Sequence, residues 1–305
     1  MRVLITGVTG YIGRALTRSL VGAGHEVVGL SRYPFQAKAA LPELAAAHVW
    51  QPTEAEPPGE AWDGVEGVVN LVGEPIAGRW TVLKKRAIYD TRIQATRNLI
   101  DGIRQLADRP TVLVNASAIG YYGDRGEDEL AELEPPGDGF LPGLTKDWEA
   151  AAASAERLGL RVVRLRVGFL LGEDSPFLKP QLPLFKLGLG GPIGSGEQWW
   201  PWVHLDDVVG LYRRALEDDG MSGAVNATAP APVRQRDFAK ALGRVLGRPA
   251  LLPAPKLAIK LVLGGFAAEV LDSRRVVPRA AEAAGYAFAY TELDAALRSA
   301  LGRAE

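Results

Sequence analysis

An α/β fold organised around a parallel sheet is what this sequence predicts, and three observations carry the expectation. Short apolar runs alternate with helical patterns through residues 1–170, three glycines stand where the first run gives way to the first helix, and the texture turns loop-rich and then helical beyond residue 170.

The first run, residues 2–6, holds Val3, Leu4 and Ile5 in succession, as a strand buried on both faces does. Ala15, Leu16, Leu20 and Val21 then recur at helical spacing, which predicts a helix over 12–23. Further strand-like runs at 26–30, 47–50, 67–72, 111–117 and 160–169 alternate with helical patterns through 35–47, 80–107 and 144–158, the signature of repeated βαβ units. Beyond these, Pro176, Pro180, Pro183 and Pro192 with GLGGPIGSG (188–196) punctuate a loop-rich stretch. A helix follows from about 207 to 217, with Asp206 or Asp207 as its expected cap, and AVNAT (224–228) reads as one more strand returning to the sheet. Helical patterns at 234–246, 255–271 and 291–301 complete the chain. The expected organisation is therefore a nucleotide-binding domain over 1–170, to which 203–228 returns, with 171–202 and 229–305 forming a smaller, mostly helical substrate or lid region.

Bulk properties narrow the function. With 47% hydrophobic residues in 305, the chain can bury a sizeable core. Its 35 basic and 36 acidic side chains nearly balance, so nothing in the net charge points to nucleic acid or an anionic membrane. The absence of cysteine excludes disulfides and thiolate chemistry, and three scattered histidines argue against a metal centre. No apolar stretch has the length of a membrane span, and a cytoplasmic location is the expectation.

The stretch TGVTGYIG places Gly7, Gly10 and Gly13 between the first strand and the first helix. A glycine at the turn permits a tight bend, one facing the ligand lets backbone approach a pyrophosphate, and one inside the helix lets it pack on the strand. Free N–H groups at the helix start then bind phosphate oxygens, with Thr9, Tyr11 and Ile12 lining the same loop. This predicts a dinucleotide cradle in a Rossmann-like, doubly wound fold. A free ribose 2′-hydroxyl is usually met by Asp or Glu about 20 residues after such glycines, a 2′-phosphate by Arg. Here the second strand ends in Ser31 and Arg32 with no acid, so the expected cofactor is NADP; the alternative is Arg32 as a solvated loop charge.

TGVTGYIG, Ser31–Arg32, NASAIGYYG (115–123) and WVHLDDVV (202–209) together resemble the extended short-chain dehydrogenase/reductases. NLVGEPIAGRW (70–80), DTRIQATRNLI (90–100) and RVVPRAAEAAGYAFAYTELDAAL (275–297) narrow the resemblance to the NAD-dependent epimerase/dehydratase family with a C-terminal domain of unknown function. The resemblance covers nearly the whole chain and places Leu71, Val72 and Gly73 beside the cofactor. It implies a catalytic Ser, a Tyr as proton donor or acceptor, and a Lys that lowers the Tyr pKa and holds the nicotinamide ribose. Registered on this sequence, Ser117 falls on the Ser and Lys146 on the Lys, but Pro142 stands where the Tyr belongs. A replacement acid would come from Tyr121 or Tyr122; the alternative for both is packing.

Arg92 shares the inward face of the long helix with Ile88, Ala95, Leu99, Ile103 and Leu106, so it must be paired or reach an opening. With Thr91 it is expected to face nicotinamide ribose or substrate, or else to snorkel to the domain edge. Gln198, Trp199, Trp200, Pro201, Trp202 and His204 form either a pocket wall or inter-domain packing. Two functions fit: an NADP(H)-dependent oxidoreductase or epimerase-like enzyme acting on a small polar substrate, nucleotide sugars among them, or a non-catalytic NADP(H)-binding protein whose bound form a partner recognises. A homodimer is a further expectation.

Overall fold

Val3, Leu4 and Ile5 are fully enclosed in β1 (Arg2–Thr6), an interior strand of a seven-stranded sheet described here by a computed structural model covering residues 1–303. The other strands are β2 (Glu26–Ser31), β3 (Ala46–Val49), β4 (Gly67–Asn70), β5 (Val112–Ala118), β6 (Arg161–Val167) and β7 (Gly223–Ala227). They lie in the order β7-β6-β5-β4-β1-β2-β3, all parallel. The order reverses between β1 and β4, which opens a crevice at the carboxyl ends of those two strands.

Helices cover both faces, and the short α2 (Pro34–Ala40) lies against β2 and β3. On one face, α1 (Tyr11–Gly22) packs beside the helix Leu205–Glu217, burying Leu16, Leu20, Val208 and Leu211 against Val3, Ile5 and Val114. On the other, α3 (Val82–Arg104) and α4 (Phe140–Ala153) bury Leu99, Ile103 and Ala152 against Leu4, Val68 and Leu113. Trp200, Trp202, Phe169 and Phe238 build a second core under the C-terminal helices, with Phe177 packed on it. The Trp200 and Trp202 rings are thus packing; Trp199 lies apart, with the Arg234 guanidinium 4.0 Å over its ring.

Local chemistry moves several predicted boundaries. The helix expected over 35–47 ends at Ala40, because Pro42 drives Leu41 out of helical backbone (φ −136°, ψ 75°), and the chain re-enters the sheet as β3. The run 160–169 divides at Gly168, where a Cβ would meet the Pro201 carbonyl oxygen at 2.5 Å, and residues Phe169–Leu171 turn to pair with Trp202–His204. The single helix expected over 255–271 breaks at Gly264 (φ +57°) into Lys256–Leu263 and Ala267–Leu271.

The helix Leu205–Glu217 is capped by neither aspartate. His204 Nδ1 accepts the Asp206 N–H at 3.2 Å, and burial keeps the imidazole below its ordinary pKa, so the ring is a neutral acceptor. Asp207 instead accepts the N–H groups of Ala289 (2.7 Å) and Tyr290 (3.1 Å), pinning a distant segment to the helix. Asp207→Ala is expected to cost about 2–4 kcal/mol of unfolding free energy by urea titration, because two amides lose a charged acceptor. Hydrogen exchange should accelerate at Ala289 and Tyr290; unchanged protection there would contradict the assignment.

Candidate nucleotide-binding cleft

The turn after β1 is shaped by what cannot fit in it. Gly7 has φ +65°, and a Cβ there would lie 3.0 Å from the Leu71 carbonyl. Gly10 donates to Gly7 O at 2.9 Å and leads into α1 in extended backbone (φ −68°, ψ 171°) without a side-chain cap. At Gly13 a Cβ would sit 2.5 Å from Gly7 O and 2.7 Å from Val8 O, so only glycine lets α1 start this close to β1. The first intrahelical bond runs from Arg14 N to Gly10 O, leaving the Tyr11, Ile12 and Gly13 amides without a carbonyl one turn back. Thr9 is exposed at the rim, Ile12 packs towards the core, and the Tyr11 hydroxyl fills the space that a Cβ at Gly172 would need. A diphosphate fits this cradle: it has free donors, a helix dipole and no side chain to fill it.

At the end of β2, Ser31 Oγ accepts the Tyr33 N–H at 3.1 Å. Arg32 is exposed, 5.9 Å from the Tyr33 ring, and has no ion-pair partner among the described residues. A cation free of carboxylates at this edge suits a 2′-phosphate.

Across the crevice, a buried polar network that the sequence reading missed fixes the loop after β4. Thr6 Oγ1 donates to Asn70 Oδ1 (2.6 Å) and accepts the Leu71 and Val72 N–H groups at 3.0 and 3.1 Å. Asn70 Nδ2 donates to Asn115 Oδ1 (2.7 Å) and to Thr96 Oγ1 (2.9 Å), and Trp148 Nε1 reaches the same Thr96 oxygen. This network holds Leu71 and Val72 against the turn after β1. Thr91 is not free to meet a cofactor: its hydroxyl donates to Ala87 O (2.7 Å) and accepts the Glu74 N–H (2.9 Å), so it braces the loop. Arg92 Nη1 donates to Glu74 O at 2.9 Å, its guanidinium lies 5.1 Å over the Trp148 ring, and burial lowers its pKa to about 10.

Of the expected acid–base residues, Ser117, Tyr121 and Tyr122 gather around Arg166 and Glu149, while Lys146 stands exposed on α4. Ser117 is buried and donates to Glu149 Oε1 at 2.6 Å. Glu149 is fixed in turn by Arg166, through Nε (2.7 Å) and Nη2 (2.9 Å). Glu149 lies seven residues along α4 from Pro142, whose ring packs instead against Gly123, where a Cβ would meet its Cγ at 3.3 Å. Pro142 is buried in the first turn of α4, where an absent N–H leaves no helical bond unmade. Tyr122 is corrected as an acid candidate: it is fully buried, donates to Asn226 Oδ1 (2.7 Å) and accepts from Arg166 Nη1 (2.8 Å). Burial pushes its pKa up to about 12, away from any role near neutrality. Tyr121 is half-buried with its ring 3.6 Å from the Arg166 guanidinium carbon. Lys146 is exposed on α4, with no ion pair among the described residues.

Glu149 and Arg166 escaped the sequence reading, although one signal was present. Arg166 stands between Leu165 and Val167 in β6, a strand paired on both sides, and a charge buried there needs a partner.

A sequence profile of the NAD dependent epimerase/dehydratase family matches residues 3–227. The chain belongs to that family. A second profile, a domain of unknown function (DUF1731), matches residues 254–300. Among its family relatives, the chain is 38% identical over 305 residues to the epimerase family protein SDR39U1 homolog, chloroplastic, of Arabidopsis thaliana, covering 98% of this chain and 86% of that one. It is 35% identical over 298 residues to the epimerase family protein YfhF of Bacillus subtilis, covering 97% of each. The crystal structure of human epimerase family protein SDR39U1 (isoform2) with NADPH superposes with a TM-score of 0.88 at 34% identity, covering 99% of both chains.

The epimerase-family match ends on the last residue of β7, and the second profile begins where the C-terminal helices gather. That second region grips the loop carrying Tyr121 and Tyr122. Arg274, 1% exposed, donates from Nε to Gly123 O at 3.1 Å, Ser273 N donates to Asp124 Oδ1 at 3.0 Å, and Arg275–Val276 pairs with Glu129–Leu130. Among the described residues no helix is long and apolar enough to cross a membrane.

Proposed function

We propose that this chain is an NADP(H)-binding protein of the epimerase/dehydratase family that holds its nucleotide without the Ser–Tyr–Lys acid–base set. One observation carries the reading: the Ser117 hydroxyl is committed to Glu149, and the tyrosine that should stand two helical turns away is Pro142. When bound, the nucleotide supplies a transferable hydride. This chain's residues supply the cradle of Gly7, Gly10 and Gly13, the cation Arg32 and the exposed Lys146, and a nucleotide-stabilised conformation is what a partner would recognise. A cytoplasmic location goes with this reading, as does the absence of nucleic-acid and membrane partners.

A second reading is an NADP(H)-dependent oxidoreductase or epimerase acting on a small polar substrate, a nucleotide sugar for example. Lys146, free on α4, favours it.

Titration calorimetry tests the shared premise. Arg32→Gln is expected to weaken NADPH binding at least tenfold while leaving NADH affinity within twofold, since a charge-assisted contact to the 2′-phosphate is lost and nothing else changes. Equal affinities of the unaltered protein for NADPH and NADH would sink it. The two readings separate with NADPH deuterated at C4: loss of label to any of a panel of carbonyl substrates, abolished in Lys146→Ala, would establish the enzyme.

A further inference from the structure

The C-terminal region contains a helix without a packed face. None of the eight residues of Lys256–Leu263 is buried, and Leu257 and Leu261 are 79% and 81% exposed. A helix this short is marginal in water and ordinarily draws its stability from a face packed on the core. Here Ile259 and Leu263, on the inward side, are only half-buried. Pro255 opens the helix and Gly264 (φ +57°) closes it, but neither supplies a packed face. Leu257 and Leu261 stand one turn apart on the outer side, with Val262 exposed beside them. The preceding segment extends this surface. Leu251 and Leu252 are more than half exposed, and their backbone is tied to the loop below by Leu252 N to Gly190 O (3.2 Å) and Ala254 N to Pro192 O (2.8 Å). Single exposed leucines are ordinary; a run of them on ordered backbone marks a surface that something covers.

The charges around it select the occupant. Residues 238–268 carry Lys240, Arg244, Arg248, Lys256 and Lys260, and no acid. Lys240 and Arg244 pair with Asp237 and Asp294, whereas Arg248, Lys256 and Lys260 form no ion pair among the described residues. Asp124 and Asp272 share a hollow with Lys256 and Lys260, but Asp124 accepts the Ser273 N–H (3.0 Å) and Asp272 is held by Arg274 Nη2 (3.0 Å). Lys256 and Lys260 are themselves one turn apart, so two ammonium groups flank the Leu257–Leu261 stripe. The matching occupant is apolar along one side and carries carboxylates about one helical turn apart beside it. A second copy of the same face fails this requirement, because it would bring like charges together. A flat lipid surface matches less well than a protein, since the surface beside Leu251 dips into a hollow of about 470 Å³ lined by Gly243, Gly247, Pro249 and Ala250, a place for a protruding side chain.

We propose that the ridge from Leu251 to Val262 is a docking surface for an acidic amphipathic helix of a partner protein, its apolar side on Leu257 and Leu261 and its carboxylates on Lys256 and Lys260. The inference gives a surface to the partner invoked above, and rests on that reading only for the partner's dependence on nucleotide. A route for that dependence is present. A Cβ at Gly264 would lie 3.5 Å from Arg79 Cγ, the Trp80 ring lies against Gly265, and the same loop leads back to Leu71 against Gly7 of the cradle.

A phage-displayed library of random peptides of about 16 residues, enough for four helical turns, is selected on the full chain. The selected peptides are then titrated by fluorescence anisotropy against the unaltered protein, Lys256→Glu with Lys260→Glu, and Leu257→Ser with Leu261→Ser. All four side chains are exposed, so both variants should unfold within about 2 °C of the unaltered protein. The expected peptides carry Asp or Glu four residues apart beside Leu, Ile or Phe, bind each variant at least about tenfold more weakly, and lose affinity as salt rises. Peptides without acids, peptides that bind both variants within about twofold of the unaltered protein, or no selected peptide at all would overturn the proposal. So would two rival occupants: co-sedimentation with phosphatidylglycerol vesicles that is lost in both variants, or self-association of the unaltered chain that is lost in the leucine variant. The titrations are repeated with saturating NADPH. Affinity that the variants abolish but NADPH leaves unchanged keeps the docking surface and removes the nucleotide-dependent recognition.

Discussion

Glu149→Ala is expected to destabilise the protein by about 3–5 kcal/mol in urea unfolding, the cost of leaving Arg166 charged, buried and without its carboxylate. The magnitude is large against a typical total of about 5–15 kcal/mol. Arg166 is 3% exposed and would keep only the Tyr122 hydroxyl and the Glu132 carbonyl as acceptors. Ser117 would lose its acceptor at the same stroke. Removing both charges should be far milder than removing one: Glu149→Leu combined with Arg166→Met is expected to recover most of the loss, because the ion pair's attraction is offset by its own desolvation. Additive losses in the double variant would show that each side chain acts independently and would contradict the pairing. NADPH affinity under native conditions is the companion measurement. If Glu149 and Arg166 are framework beneath the cleft, the folded double variant binds as the unaltered protein does.

That pair also marks where the sequence stops being readable. The sheet was legible because strands buried on both faces must be continuous apolar runs, and Val3–Ile5, Val112–Val114 and Val162–Val163 are such runs. The cradle was legible because its glycines answer to a backbone geometry that nothing else satisfies. Helix ends were read less well, since apolar periodicity passes through Pro42 and Gly264, where backbone torsion decides the matter. Asp207 looked like a cap because it is an aspartate at a helix start, but its partners are 82 and 83 residues away. The same holds for Ser117: a family register assigned it a cleft-facing role, whereas its rotamer is set by a carboxylate on a neighbouring helix. Contacts across elements carry no periodicity, so the Thr6–Asn70–Asn115–Thr96 network was invisible until the strands were placed side by side.

The cradle itself yields the sharpest test of how backbone shape makes the site. Gly13→Ala is expected to lower stability by about 2–3 kcal/mol, in the manner of core overpacking, and to weaken NADPH binding by at least a hundredfold. The added methyl would fall 2.5 Å from Gly7 O and 2.7 Å from Val8 O, and neither oxygen can yield cheaply, because both belong to the turn between β1 and α1. Moving that turn carries Gly7 away from Leu71 and displaces the amides at the start of α1 that face a diphosphate. Gly22→Ala provides the control in the same helix. Nothing lies within 4 Å of a Cβ there, so the helix should gain about 0.5–1 kcal/mol from reduced freedom of the unfolded chain, with NADPH affinity unchanged. The two substitutions add the same methyl to the same helix, and opposite signs in stability with loss of binding in only one would separate the geometry of the turn from the propensity of the helix. Full NADPH affinity in Gly13→Ala would mean that the diphosphate is held elsewhere, and the assignment of the cradle would fail with it.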